Sequence, residues 1–170
     1  MIVPIISVVF ALSICVSTEA SEYDTAPHLI HVGYEDPDIP DDIEQAAVLY
    51  GMEYSICPEF IEAICHHESR FKAEVKSRDG KCIGLMQVNP SCHKGRMERL
   101  GVNKEDLLTV QGNIRVACDY LAELFGEYED PVTVLMIYNG DSRWRQGKVS
   151  SYAKNILEMS QELEKKHGKT

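Results

Sequence analysis

The chain has 170 residues, of which 44% are apolar and 26% are charged, a composition typical of a globular protein rather than a disordered or fibrous one. Its 27 acidic and 17 basic side chains give a formal net charge of −10 at pH 7. Because a protein that binds nucleic acid needs a basic face for the phosphates, this charge argues against a nucleic-acid partner. It also argues against tight non-specific adhesion to an anionic surface.

The first 20 residues have the pattern of an export signal. The run from Ile2 to Val16 is almost wholly apolar, and small residues around Ala20 suit cleavage by a signal peptidase. The run is shorter than the roughly 20 residues that a membrane-spanning helix needs, and an uncleaved anchor is the alternative. We therefore expect a secreted protein, located at the cell wall, outside the cell or in the periplasm, with no stable membrane span after cleavage.

Residues 21–40 differ in character from the rest of the chain. They are acidic, contain three prolines and show little helical or strand periodicity. These features indicate a linker or an extended arm. Residues 41–170 are then expected to form one domain.

Two helices and a loop-rich segment are predicted in the first half of this domain. Asp41 and Glu44 resemble a capping box, and the helix that they begin is expected to end near Gly51. A second helix is predicted from Pro58 to about Arg70. Glycines and prolines then interrupt residues 72–95, which predicts loops with a small amount of β structure.

Three further helices are predicted in the second half. The longest spans residues 110–128 and has one apolar stripe. Asp130 caps a short, nearly all-apolar helix over residues 131–138, which is expected to be buried on most sides. The tail over residues 149–166 is charged but has an inward face made of Tyr152, Ile156, Met159 and Leu163. The fold is therefore predicted to be mainly α.

Five cysteines remain after removal of the signal, and an odd number leaves at least one thiol free. A bond between Cys82 and Cys92 would close a loop of about ten residues and stabilise it by roughly 2–4 kcal/mol. A bond from Cys57 or Cys65 to this loop is the alternative. Histidines close to the cysteines raise the further possibility of a zinc-held domain, but Cys-x-x-Cys and His-Glu-x-x-His spacings are absent, so structural cysteines and no metal are expected.

Glu68 is the first candidate for chemistry. It follows Cys65 by three residues and Ile61 by seven, so helical geometry places its carboxyl on or beside the apolar face of the second helix. Partial desolvation there raises the pKa of a carboxyl group, which suits a proton donor near neutral pH. On the helix alone, a carboxyl that reaches water from the flank is the simpler interpretation.

Three short motifs favour a catalytic role for Glu68 over this simpler interpretation. They begin at Glu68, Gly84 and Tyr138 and read Glu-Ser-Arg-Phe, Gly-Leu-Met-Gln and Tyr-Asn. In this order and spacing they resemble the motifs of the catalytic domain of the soluble lytic transglycosylases, a branch of the lysozyme-like superfamily. Ile137 stands where the family has alanine before the Tyr-Asn pair, a difference in local packing. The resemblance covers about residues 43–159 and implies a lysozyme-like helical domain with a loop-rich or small β segment beside a catalytic groove.

The resemblance also implies roles for individual residues. Glu68 is the catalytic acid and base, and the substrate is bound by Ser69, Met86, Gln87, Tyr138 and Asn139. The amides can bond sugar hydroxyls and N-acetyl groups, and Tyr138 can orient the Glu68 carboxyl by a hydrogen bond. Taken singly, each of these residues also has a structural interpretation: a helix-end serine, a methionine that fills the core, a turn glutamine, a core tyrosine and a capping asparagine.

The reaction that the resemblance implies uses one glutamate twice on the glycan strands of peptidoglycan. The glutamate protonates the bond between N-acetylmuramic acid and N-acetylglucosamine and then takes the proton of the muramyl 6-hydroxyl, which closes a 1,6-anhydro ring. The substrate's own N-acetyl group would replace the second carboxylate of most glycosidases, and no cofactor is required. The biological role stays open: such an enzyme could serve envelope-spanning machinery, phage entry or wall turnover.

Three alternatives remain at this point: a hydrolytic lysozyme on the same fold, a glycan-binding module without activity, and the zinc-held interaction domain. A hydrolase usually needs a second carboxylate, for which Asp79 is the best candidate and Glu74 and Asp141 are poorer ones. Asp79 precedes Gly80 and is flanked by basic residues, which is first of all the pattern of a solvated turn.

Overall fold

The computed structural model describes residues 38–168, so the predicted signal and nearly all of the predicted acidic arm lie outside the described residues. Two short 3₁₀ helices, Asp106–Leu108 and Ser142–Gln146, accompany the α-helices. The mainly helical class is confirmed, and all five predicted helices are present, together with a sixth helix, Lys94–Leu100, which the sequence did not predict. The α-helices are α1 (Asp41–Tyr54), α2 (Pro58–Ser69), α3 (Lys94–Leu100), α4 (Val110–Tyr128), α5 (Pro131–Tyr138) and α6 (Ser151–Lys166).

Helix α1 differs from its prediction at both ends. Its N-cap is Pro40, which makes no side-chain capping bond, so the predicted capping box is wrong and Asp41 instead lies in the first turn, where the helix dipole favours acidic groups. The helix also continues past Gly51 and ends at the left-handed Ser55. A Cβ on Gly51 would lie 2.7 Å from the carbonyl oxygen of Ile56. The glycine is therefore needed for a close approach of the backbone and does not end the helix.

Helix α2 begins and ends as predicted. Pro58 occupies the first turn, where its missing N–H costs nothing. Arg70 ends the helix in the left-handed conformation, and its N–H donates to the carbonyl oxygen of His66 at 2.9 Å. Glu68 consequently lies in the last turn of α2, directly before a reversal of the chain.

The segment between α2 and α3 contains two isolated antiparallel bridges, Lys76 with Ile83 and Ile83 with Val88, and the described residues form no longer strand. Its central turn is fastened to α4 by the buried Asn113. The amide of Asn113 donates to the carbonyl oxygens of Ile83 and Leu107 at 2.8 and 2.7 Å, and its oxygen accepts the Met86 N–H at 2.8 Å. A Cβ on Gly84 would lie 2.1 Å from the Asn113 Nδ2, so only glycine fits at that position.

The core is formed where α1 packs against α2 and α4, where α5 packs against α4 and α6, and where α2 packs against α6. The predicted burial of α5 is confirmed at its centre, and the predicted inward face of α6 is buried at all four positions. Residues near the start of α6 contact the end of α2, and residues after the end of α6 contact the start of α2. The two helices therefore run antiparallel.

No helix of the described region is long and apolar enough to cross a membrane. The five cysteines from Cys57 to Cys118 are free thiols, so the predicted bond between Cys82 and Cys92 is not present. The backbone of Cys82 is instead held by hydrogen bonds with Ser77, while Cys92 lies exposed in a turn that starts at Asn89. Between residues 38 and 168, no three His, Cys, Asp or Glu side chains are arranged to hold a metal ion, so the zinc alternative gains no support.

Candidate active site

Glu68 lies half-buried in the last turn of α2, where its Oε1 accepts a hydrogen bond of 2.6 Å from the Tyr152 hydroxyl. Burial raises the pKa of the Glu68 carboxyl, and the hydrogen bond from Tyr152 offsets part of that rise because it stabilises the carboxylate. On balance, the pKa of the Glu68 carboxyl is raised. The structure thus provides a carboxyl group that holds its proton to higher pH than an exposed glutamate does.

Tyr152 is a fixed donor to this carboxyl. It is buried in the first turn of α6, and the ring of His67 packs edge-on against its ring with centroids 4.8 Å apart. Burial and the nearby charge of Glu68 raise the pKa of Tyr152 far above the usual tyrosine range, so the hydroxyl keeps its proton. The sequence predicted Tyr152 only as part of an apolar helix face, since its distance of 84 residues from Glu68 gave no sign of this contact.

Tyr138 does not make the bond to Glu68 that was predicted for it. Its hydroxyl donates instead to the carbonyl oxygen of Met86 at 2.8 Å, and its ring stacks on Tyr120 with centroids 5.7 Å apart. Burial, followed by the charge of Glu68, raises the pKa of Tyr138, which shows that the two side chains are electrostatic neighbours. Tyr138 therefore ties the Gly84–Gln87 turn to α5 beside the carboxyl.

Of the four remaining predicted binding residues, three have side chains that are buried or hydrogen-bonded to the backbone, and the fourth is exposed. Met86 is fully buried, so its side chain fills the core and does not face the solvent. Ser69 is also buried, and its hydroxyl donates to the carbonyl oxygen of Cys65 at 2.9 Å. Gln87 adopts a left-handed conformation with a φ of 49°, and its Nε2 donates to the carbonyl oxygen of Gly84 at 2.9 Å. Asn139 caps the end of α5 and is exposed.

These contacts are what the structural interpretations of Ser69, Met86 and Gln87 require, because each side chain supports the local backbone or the core. Binding of sugar by these residues and by Asn139 stays a prediction. Asn139 adjoins Tyr138 and keeps its side chain accessible, so it is the binding candidate whose amide is open to a ligand.

Asp79 is held in a turn. Its carboxylate accepts a hydrogen bond from the Ser77 hydroxyl at 2.7 Å and another from the Lys81 N–H at 3.2 Å, and it pairs with the Lys81 ammonium at 3.1 Å. These bonds, the one from Ser77 first, lower the pKa of Asp79 to about 2. Asp141 is similarly engaged by the guanidinium of Arg143, which lowers its pKa to about 2.

A row of side chains missed by the sequence analysis continues from Tyr138. The ring of His93 lies 4.6 Å from that of Tyr120, and the Arg96 guanidinium lies 5.1 Å above the Tyr120 ring. Arg96 in turn forms an ion pair with Asp119. This row comes from α4 and from residues in or next to α3, the helix that was not predicted, which is why the sequence did not reveal it.

Comparisons with known proteins agree with this fold and with the family that the motifs resemble. The model of the family described as Transglycosylase SLT domain matches residues 47–160, a span that contains all three motifs. A solved structure of an inactive mutant of the lytic transglycosylase Slt from Pseudomonas aeruginosa has a TM-score of 0.65 and 21% identity, over 74% of this chain and 24% of that chain. The chain thus spans about a quarter of that protein, and at this identity the likeness shows the fold alone.

A search among curated proteins found no match. The family match stands without one because it covers well over half of the chain. With Glu68, the Gly84–Gln87 turn and Tyr138 all inside the matched span, the protein belongs to the transglycosylase SLT domain family, the family of the lytic transglycosylases.

Proposed function

We propose that the protein is a lytic transglycosylase that cleaves the β-1,4 bond between N-acetylmuramic acid and N-acetylglucosamine in peptidoglycan and leaves 1,6-anhydromuramic acid ends. The observation that carries the proposal is the Glu68 carboxyl, half-buried and hydrogen-bonded to Tyr152 inside the SLT-matched span. Membership of the family supports the substrate class. In the Pseudomonas aeruginosa protein, a single substitution of glutamate by glutamine accompanies the inactive state.

In the first step, Glu68 acts as a general acid. Desolvation raises the pKa of its carboxyl, so a larger share of the protein carries the proton that the glycosidic oxygen must receive. As the bond breaks, the proton moves from Glu68 to the leaving N-acetylglucosamine oxygen. The N-acetyl group of the muramyl residue would stabilise the positive centre that remains.

In the second step, the same group acts as a base. The Glu68 carboxylate, stabilised by the hydrogen bond from Tyr152, takes the proton of the muramyl 6-hydroxyl. The freed oxygen then closes the anhydro ring on the muramyl C1. Glu68 ends the cycle protonated, no water is consumed, and no cofactor takes part.

The engagement of Asp79 and Asp141, two of the three other candidate carboxylates, supports this reaction over hydrolysis. A hydrolase usually positions water or traps an intermediate with a second carboxylate. Asp79 and Asp141 are both held by neighbouring donors within their own turns. In this conformation neither carboxylate is free to position water or to trap an intermediate.

The setting of the enzyme follows from the substrate. We propose that residues 41–170 form the catalytic domain, preceded by an arm over residues 21–40 and an export signal over residues 1–20. Peptidoglycan lies outside the cytoplasmic membrane, so an enzyme that cuts it must be exported. Partners in envelope-spanning machinery stay a prediction.

Mass analysis of the products tests the proposed function. Purified protein is incubated with peptidoglycan, and the released fragments are measured. We expect ends lighter by one water than reducing muramic acid ends. Reducing ends would instead support the lysozyme, and binding without any released fragment would support the glycan-binding module.

A further inference from the structure

The loop between α5 and α6 begins and ends at the candidate active site. It leaves α5 directly after Tyr138, the electrostatic neighbour of Glu68, and enters α6 just before Tyr152, which bonds to Glu68. Between these two points lies the 3₁₀ helix Ser142–Gln146. A substrate held at Glu68 would therefore have both ends of this loop beside it.

The loop has a defined structure rather than an arbitrary path. The Asp141 N–H donates to the carbonyl oxygen of Met136 at 2.8 Å, and its carboxylate caps the 3₁₀ helix by accepting the Arg143 N–H at 3.0 Å. The Trp144 ring packs edge-on against Tyr128 with centroids 5.4 Å apart. These contacts fix the backbone from which the loop's charged side chains project.

The charge of the loop is opposite to that of the protein. Of its three basic side chains, Arg143 is paired with Asp141 at 2.6 Å. Arg145 and Lys148 are exposed, and neither makes an ion pair with any residue from 38 to 168. The Arg145 guanidinium lies 4.7 Å above the Trp144 ring, which restricts its freedom. On a chain with a net charge of −10, the loop thus presents two available cations.

We propose that Arg145 and Lys148 bind carboxylates of the peptide stem attached to the muramyl residue next to the bond that is cut. This inference rests on the proposed function. In stem-bearing strands the lactyl carboxyl of each muramyl residue is taken up in the amide to its stem, so the sugars themselves offer no anion, whereas the peptide stems carry free carboxylates. A guanidinium and a carboxylate are geometrically matched, and an attractive site at the groove offsets the repulsion between an acidic protein and an anionic wall.

The test compares stem-bearing strands, whose peptide stems keep their free carboxylates, with amidated strands, in which those carboxylates have been converted to amides. The variant Arg145→Gln/Lys148→Gln is compared with Lys104→Gln/Lys165→Gln, which removes the same charge from two exposed lysines elsewhere. We expect the loop variant to raise KM on stem-bearing strands by about three- to tenfold with kcat unchanged, as two exposed charge contacts would. On amidated strands it should equal the wild type, and the control variant should equal the wild type on both substrates.

Two results would overturn the inference. One is a loop variant that behaves like the control on stem-bearing strands, and the other is an equal loss on both substrates. A loop variant that loses binding to vesicles containing anionic lipid, while it cleaves stem-bearing strands normally, would assign the cations to a membrane surface instead. If the wild type cuts neither substrate, the proposed function is wrong. The inference about the loop can then still be tested by comparing how tightly fluorescent stem-bearing strands bind to the wild type and to the loop variant.

Discussion

Helix α2 carries a glutamate near each end, and both meet α6, yet their surroundings differ. Glu59, in the first turn, is fully buried, and its two oxygens contact His167 Nδ1 at 2.7 Å and Cys57 Sγ at 2.9 Å. Glu68, in the last turn, is half-buried and accepts one hydrogen bond from the described side chains, from Tyr152. The same side chain on the same helix pair is thus enclosed and satisfied at one end and partly open at the other.

The difference shows how partners assign a role to a buried carboxyl. Around Glu59, desolvation of the thiol and its bond to the carboxyl raise the pKa of Cys57 to about 12, so the thiol stays neutral, and Glu59 itself exposes no surface to a substrate. Around Glu68, burial raises the pKa of the carboxyl, and the absence of a second bound donor within residues 38–168 leaves it accessible. We infer that Glu59 serves stability and Glu68 serves chemistry.

The largest effect should come from Glu68→Gln. The amide keeps the shape and can still accept the bond from Tyr152, but it cannot give and take a proton. Cleavage of peptidoglycan should fall by about a hundred- to ten-thousand-fold or more, with circular dichroism unchanged. The matched control is Glu59→Gln on the same helix, and activity in Glu68→Gln close to that of this control would defeat the division of roles.

Glu59→Gln should act on stability instead. One carboxyl oxygen becomes an amino group and can no longer accept a bond from its partner, so the contact with either His167 or Cys57 is lost. We expect the free energy of unfolding to fall by about 1–3 kcal/mol, with activity per folded molecule within about twofold of the wild type. Denaturant titration and an assay on the same samples measure both, and a selective loss of activity would place Glu59 in the site.

Tyr152→Phe should have a smaller effect on rate and a distinctive effect on pH dependence. A general acid loses activity as the pH rises through its pKa, and the Tyr152 bond lowers the pKa of Glu68. Without this bond the pKa rises further, so the falling limb of the pH profile should move to higher pH, while the rate drops by about three- to tenfold because the carboxylate loses its donor. A limb that stays in place or moves to lower pH would show that Tyr152 does not tune Glu68.

Asp79→Asn should have the smallest effect. The carboxylate is bound by Ser77 and Lys81 within an exposed turn, and the pKa of Asp79 is about 2 because of those bonds. Activity should stay within about twofold of the wild type at any pH between 4 and 9, as expected for a change in a solvated turn. A loss of activity comparable to that of Glu68→Gln would instead support a hydrolase that uses two carboxylates.

Periodicity along the chain was enough to predict the helices that build the site. The apolar spacing of α2 placed Glu68 beside the core, and that of α6 placed Tyr152 inward. Periodicity could not show that these two side chains meet, because contacts between distant helices depend on how the helices pack. With that contact not visible in the sequence, the motif resemblance suggested Tyr138 as the partner of Glu68.

The turns were harder to predict than the helices. Gly51 looks like a helix end in the sequence, but the close approach of the Ile56 carbonyl explains it inside α1. Met86 lies in a motif expected to face the groove, and its burial depends on Asn113, 27 residues further along the chain, which turns the Met86 backbone toward α4. Such positions are set by tertiary contacts that local pattern does not encode.

The Glu68 carboxyl should keep its proton to higher pH than an ordinary glutamate, and a ¹³C NMR titration of the glutamate carboxyls measures this property. The Glu68 signal is assigned by its absence from the spectrum of Glu68→Gln. We predict that its pKa lies above those of the exposed glutamates in the same spectra and rises further in Tyr152→Phe. A pKa equal to or below those of the exposed glutamates would rule out the proposed role of Glu68, because the carboxyl would then lack the property that fits it to donate a proton.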